Sequence, residues 1–149
     1  MSQIQKKYNI GSCRYNNAEG LYCYQNSIIA ILSQTYLFVD FICTKSIEFI
    51  KIKENDLNLE VTDKLTYQLS QILNSSLSND NNTITPTSFR KICGKINSIW
   101  AQMNYQDSQE FFNFVISTLK EEMGKKIKFI PGKNMIKYKK TSDSTQSNI

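Results

Sequence analysis

The chain has 149 residues, 40% of them hydrophobic, with mean hydropathy −0.40 and a formal net charge of +5. That is material for one domain-sized core; with no run of about 18 apolar residues and no charged-then-apolar leader, neither membrane span nor signal peptide is expected, and an intracellular protein, cytoplasmic or nuclear, is. The charge excess is local: residues 1–119 carry ten Lys/Arg and ten Asp/Glu, the surplus lies in lysines between Lys120 and Lys140, and without interleaved arginines and aromatics these exclude nucleic acid as an expected partner.

Residues 1–19 scatter Tyr8, Ile10, Cys13 and Tyr15 among polar residues and read as an extended or irregular lead-in, with no secure strand. The block Gly20-Leu21-Tyr22-Cys23-Tyr24-Gln25-Asn26-Ser27 follows, running into Ile28, Ile29, Ile31 and Leu32. It predicts an apolar helix over about 22–33 with Cys23 at its start. A thiol beside the unpaired N–H groups of a helix start is favoured as thiolate, the nucleophilic form. Cysteine is also among the most buried residue types, so Cys23 as a small core residue stays open. The four cysteines, Cys13, Cys23, Cys43 and Cys93, are widely spaced with no C-x-x-C pair, and are expected as thiols rather than disulfides.

From Tyr36 to Ile52 the apolar residues predict a helix to about Cys43 and a second short helix after it. Asp63 is a candidate cap for a helix whose Leu65, Leu69, Ile72, Leu73 and Leu77 share one face. Ser78 to Thr83 has nothing to bury and reads as a flexible surface loop. Thr85 as cap and Pro86 at the first helical position open the next helix, with a stripe of Phe89, Ile92, Cys93, Ile96, Ile99 and Trp100. Cys93 is therefore expected in the core.

Tyr105-Gln106-Asp107-Ser108-Gln109-Glu110-Phe111-Phe112 is the second informative stretch. Asp107 and Glu110 have the spacing of a reciprocal helix cap, and Phe111, Phe112, Phe114, Val115, Ile116, Thr118 and Leu119 give the helix a wide buried face. A purely capping role for the two carboxylates is the plain alternative. Beyond Gly124 the pattern decays, so the expected organisation is a helical domain over 1–124 and a lysine-rich, flexible tail over 125–149. No phosphate-binding glycine loop and no metal-ligand cluster is visible, so neither cofactor nor metal is expected.

The Gly-x-x-Cys-Tyr-x-Asn-Ser block, the Thr85-Pro86-x-x-Phe89 segment and Gln-Asp-x-x-Glu-Phe, in this order, resemble the ubiquitin-specific protease family over about residues 15–123. The resemblance implies a mainly α fold, the helical thumb of a papain-like cysteine protease with about five helices and without the sheet-bearing palm and fingers. It implies Cys23 as nucleophile, Gln106 and Asp107 near the bound ubiquitin tail, and Asn26 and Ser27 as residues that fix local structure. Its partner would be ubiquitin or a ubiquitinated protein.

Several positions depart from the family's pattern. The usual oxyanion asparagine five residues before the nucleophile is Ala18 here; Asn17 takes its place only if the backbone shifts. Leu21 stands where a small or polar residue is usual. The segment 129–140 resembles a degraded start of the fingers without their zinc-binding cysteine pairs. The family's histidine comes from the palm, and this chain contains no histidine. Amide hydrolysis by a thiol needs a base and then an acid near neutral pH, and losing positioned acid–base catalysis costs on the order of 10²–10⁴ in rate. The expectation is a chain that is incomplete or inactive alone, completed by a palm and fingers segment or a second chain. A non-catalytic ubiquitin-binding module and a plain helical interaction domain with a buried Cys23 are the other two readings.

Overall fold

Leu65, Leu69 and Leu73 repeat every four residues, and all three are fully buried. They lie on α4 (Leu65–Leu77), which four other helices contact. The computed structural model describes residues 13–17, 21–77 and 83–124; the segment 125–149 read as a flexible tail, residues 1–12, Ala18 and most of the 78–83 loop lie outside the described residues. Ahead of α4 come β1 (Arg14–Tyr15), α1 (Cys23–Ser33), α2 (Tyr36–Thr44) and α3 (Ser46–Glu54). After it come β2 (Thr83–Ile84), α5 (Thr87–Ile96), a 3₁₀ turn (Ser98–Ala101) and α6 (Ser108–Met123). The fold is mainly α, as the resemblance implies, with six helices among the described residues.

The helices bury most of the faces their sequences supply, but Ile31 on α1 and Ile96 at the end of α5 are exposed, so the stripe of α5 is buried only at Phe89 and Cys93. On α4 the buried Ser70 and Ser76 hydroxyls donate to the Tyr67 and Leu73 carbonyls at 2.7 Å, so small polar residues enter the core already satisfied. Between Tyr36 and Glu54 the chain makes two short helices as expected, and α1 and α2 meet at 93°. Asn55 ends α3 in the left-handed conformation (φ 56°), which asparagine tolerates better than most residues. Gly94 permits the close approach of α5 to the 3₁₀ turn, since a Cβ there would sit 2.8 Å from the Ala101 Cβ. On α6, Phe111, Val115, Thr118 and Leu119 are buried and meet α1, α3 and α4. Five rings, Tyr24, Phe89, Trp100, Phe111 and Phe114, form an aromatic cluster centred on Phe111.

The structure corrects several local expectations. The lead-in contains a strand: Arg14 and Tyr15 pair in parallel with Thr83 and Ile84, so Thr83 belongs to a ladder rather than to the surface loop. Capping of α4 comes not from Asp63 but from across the core. The Glu122 carboxylate accepts from the Leu65 and Thr66 N–H groups (2.9 and 2.8 Å) and from the Thr66 hydroxyl (2.5 Å). Helix α5 begins one residue later than expected, with Pro86 at its cap and Thr85 Oγ1 accepting from the Asn16 side-chain amide instead. Ile99 and Trp100 fall on the 3₁₀ turn rather than on α5. Phe112 is 36% exposed and does not widen the buried face of α6.

Candidate active site

Cys23 is the first residue of α1, and its side chain is exposed. Contacts from four segments position it. The Asn16 N–H donates to the Ile84 carbonyl at 2.8 Å, extending the β1–β2 pairing to the edge of the site. The Asn16 carbonyl accepts from the Asn26 side-chain amide (3.3 Å) and from Arg90 Nη2 (2.7 Å), and Arg90 Nη2 donates also to Asn26 Oδ1 at 3.2 Å. The guanidinium lies 3.9 Å from the centre of the Tyr22 ring. Asn17 Oδ1 accepts from the Tyr22 N–H at 2.9 Å, and the Ser27 hydroxyl donates to the Cys23 carbonyl at 2.8 Å. Asn26 and Ser27 thus fix local structure, and the residue before the thiol is held from both its backbone and its ring.

The second motif begins α6 at the same end of the molecule. Asp107 Oδ1 accepts from the Gln109 and Glu110 N–H groups at 2.7 and 3.0 Å, which is the capping role its spacing suggests. No return bond from the Glu110 side chain occurs among the described residues. Tyr24, one residue after Cys23, meets Phe111, four after Asp107, edge to face with ring centres 5.3 Å apart. The first turns of α1 and α6 are therefore neighbours. Asp107 is exposed and Gln106 half-buried, while Met103 and Tyr105 on the approach to them are 55% and 80% exposed. The first turn of α1 carries neither an acidic residue nor a side-chain cap, so its N–H donors face no competing carboxylate of their own helix.

Arg90 was not legible in the sequence as part of this site. Its signal is scarcity, since it is one of two arginines in the chain, set on a helix with an apolar stripe.

Of the four thiols, only that of Cys23 is exposed. Burial raises the Cys43 thiol to about 11 and pushes that of Cys93 further up, while desolvation also raises Cys13. A maleimide at neutral pH is expected to label Cys23 first and Cys93 only on unfolding; equal native labelling of Cys93 would contradict the burial. Because the buried thiols ionise later in the folded than in the unfolded chain, their contribution to stability is expected to be level from neutral pH to about pH 9 and to fall above it. No group of three or more His, Cys, Asp or Glu side chains among the described residues could hold a metal ion.

The sequence profile of the ubiquitin carboxyl-terminal hydrolase family matches residues 13–149. Among curated proteins, the chain is similar to the probable ubiquitin carboxyl-terminal hydrolase 1 of Schizosaccharomyces pombe, 28% identical over 117 residues covering 78% of this chain and 13% of that protein. It is also similar to the ubiquitin carboxyl-terminal hydrolase 4 of Vanderwaltozyma polyspora (29% over 111 residues; 68% of this chain, 12% of that protein). The protein of that name from Eremothecium gossypii is 33% identical over 57 residues, 38% of this chain and 7% of that protein. The chain thus spans 13% or less of the length of these relatives.

Proposed function

The chain belongs to the ubiquitin carboxyl-terminal hydrolase family, and on that premise we propose that it carries the thiol-bearing half of a deubiquitinating site, acting on ubiquitin or ubiquitinated proteins. The observation that supports this most is the exposed Cys23 at the first turn of α1, lying beside the first turn of α6 that Asp107 caps. In this reading Cys23 Sγ attacks the carbonyl carbon at the end of the ubiquitin tail, and Gln106 and Asp107 hold that tail. The unopposed N–H groups at the start of α1 face the developing oxyanion. Asn17 uses its Oδ1 on Tyr22, which leaves its amide NH₂ as the end able to donate to that oxygen.

No histidine occurs in the 149 residues, so the proton transfers of acylation have no neutral-pH carrier within them. We assign that role to a histidine supplied from outside this sequence, with the chain alone slower by on the order of 10²–10⁴-fold. Incubation with a ubiquitin-derived thiol-trapping probe tests the assignment. Slow labelling of Cys23, abolished by Cys23→Ser, is expected; rapid stoichiometric labelling of the isolated chain would refute the need for an external base. A ubiquitin-binding role without catalysis is the second reading, favoured by the absence of histidine, and predicts binding weakened by Asp107→Ala but indifferent to Cys23→Ser.

A further inference from the structure

A cleft of about 370 Å³ opens beside the candidate site, between the segment before Cys23, the start of α5 and the 3₁₀ turn. Its walls include the Tyr22 and Trp100 rings, the threonines Thr85 and Thr87, and the cations Arg90 and Lys91; among the described residues no Asp or Glu lines it. The volume is that of a pocket for a whole ligand rather than for a single ion. We infer that this cleft binds an acidic polypeptide segment, an extended stretch carrying Asp or Glu.

Charge, donors and shape agree on that class. Arg90 is held in place by Asn16 and Asn26 and stacked on Tyr22, so its charge is fixed at the cleft wall, while the exposed Lys91 next to it adds a mobile cation. The first turn of α5, where Thr87 lines the cleft, has neither a side-chain cap nor an acidic residue. The field at that helix start therefore has the same sign as the two cations. Trp100 is 4% exposed, and its indole N–H has no acceptor among the described residues, a further donor for a peptide carbonyl or carboxylate after a small ring movement. Two aromatic walls suit the apolar parts of a peptide better than a bare anion.

Tyr22, which lines the cleft, is bonded to Cys23. That the segment belongs to a substrate rests on the function proposed above; that the cleft binds it does not.

Trp100 is the single tryptophan of the chain, so its emission reports on the cleft and on the aromatic cluster behind it, and the heat of binding is read beside it. The experiment titrates the 149-residue chain with a short glutamate-containing peptide, its glutamine counterpart, inorganic phosphate and a single-stranded oligonucleotide, reading Trp100 emission and heat together. Saturable binding of the glutamate peptide is expected, weakened about tenfold in the glutamine counterpart and again by Lys91→Glu. Equal affinity for the two peptides, no effect of Lys91→Glu, or no binding by either readout would overturn the inference. So would phosphate saturating at the same midpoint as the peptide, or the oligonucleotide binding more tightly. Ubiquitin is absent from every arm, so failure here leaves the deubiquitinase reading intact, and the thiol probe tests that reading alone.

Discussion

Replacing Phe111 with alanine is expected to cost about 3–5 kcal/mol, a large part of the roughly 5–15 kcal/mol that holds a domain together. The ring is fully buried and meets Tyr24, Trp100, Phe114 and Phe89 with centres 5.1–6.3 Å apart. Three of these contacts are edge to face, the arrangement the ring quadrupoles favour. The side chain reaches from the first turn of α6 to the first turn of α1, so the void would open directly behind the candidate site. Urea unfolding should show the loss, and Phe111→Leu, which refills most of the volume, should lose less. A loss under about 1 kcal/mol would mean that the cluster collapses freely and does not fix the two helix starts.

The second large effect is expected at Arg90. Its Nη2 group donates to the Asn16 carbonyl and to Asn26 Oδ1, charge-assisted bonds that join the segment before Cys23 and the first turn of α1 to α5. Arg90→Met keeps much of the side chain's apolar bulk but removes both bonds and the stacking on Tyr22, at a cost of about 1.5–3 kcal/mol. Loss should concentrate locally. Amide exchange at Asn16 and Tyr22 is expected to accelerate more than exchange in α4, whose Leu65, Leu69 and Leu73 are packed elsewhere. Arg90→Lys should restore the charge without the planar fork and recover only part of the effect. Uniform acceleration across all helices would show Arg90 to be a general structural residue rather than the tie that holds this segment.

The helices were legible because their burial follows local periodicity. The α4 face, the division of Tyr36–Glu54 into two helices, the burial of Cys93 and the Asp107 cap all follow from residues a few positions apart. What was missed is nonlocal. The Arg14–Tyr15 strand pairs with a partner 69 residues away, and neither segment is long enough to show alternation. Asp63 looked like the cap of α4 because it is adjacent in sequence, but Glu122, more than fifty residues on, carries the carboxylate that the core brings to those N–H groups. Ile99 and Trp100 continue the stripe of α5 on paper, yet the helix ends at Ile96 and Trp100 enters the same aromatic cluster from the 3₁₀ turn.

The candidate site divides in the same way. The motifs place Cys23 at the start of α1 and Asp107, after Gln106, at the cap of α6, and those positions are where the structure has them. Arg90, Asn16 and Tyr22 act through the geometry that joins α5 to the segment before the thiol, and no spacing within the sequence encodes that junction.

We propose that the first turns of α1 and α6 form one face that addresses the ubiquitin tail. Titrating the isotope-labelled chain with ubiquitin and following its backbone amide resonances tests this most directly, up to about 1 mM, where a binding free energy near −4 kcal/mol registers. The signals of Tyr22 to Gln25 and Gln106 to Gln109 are expected to move together with one midpoint, and Asp107→Ala to shift that midpoint upward. Resonances that stay still at both turns, or that move only on α2 and α3, would contradict it.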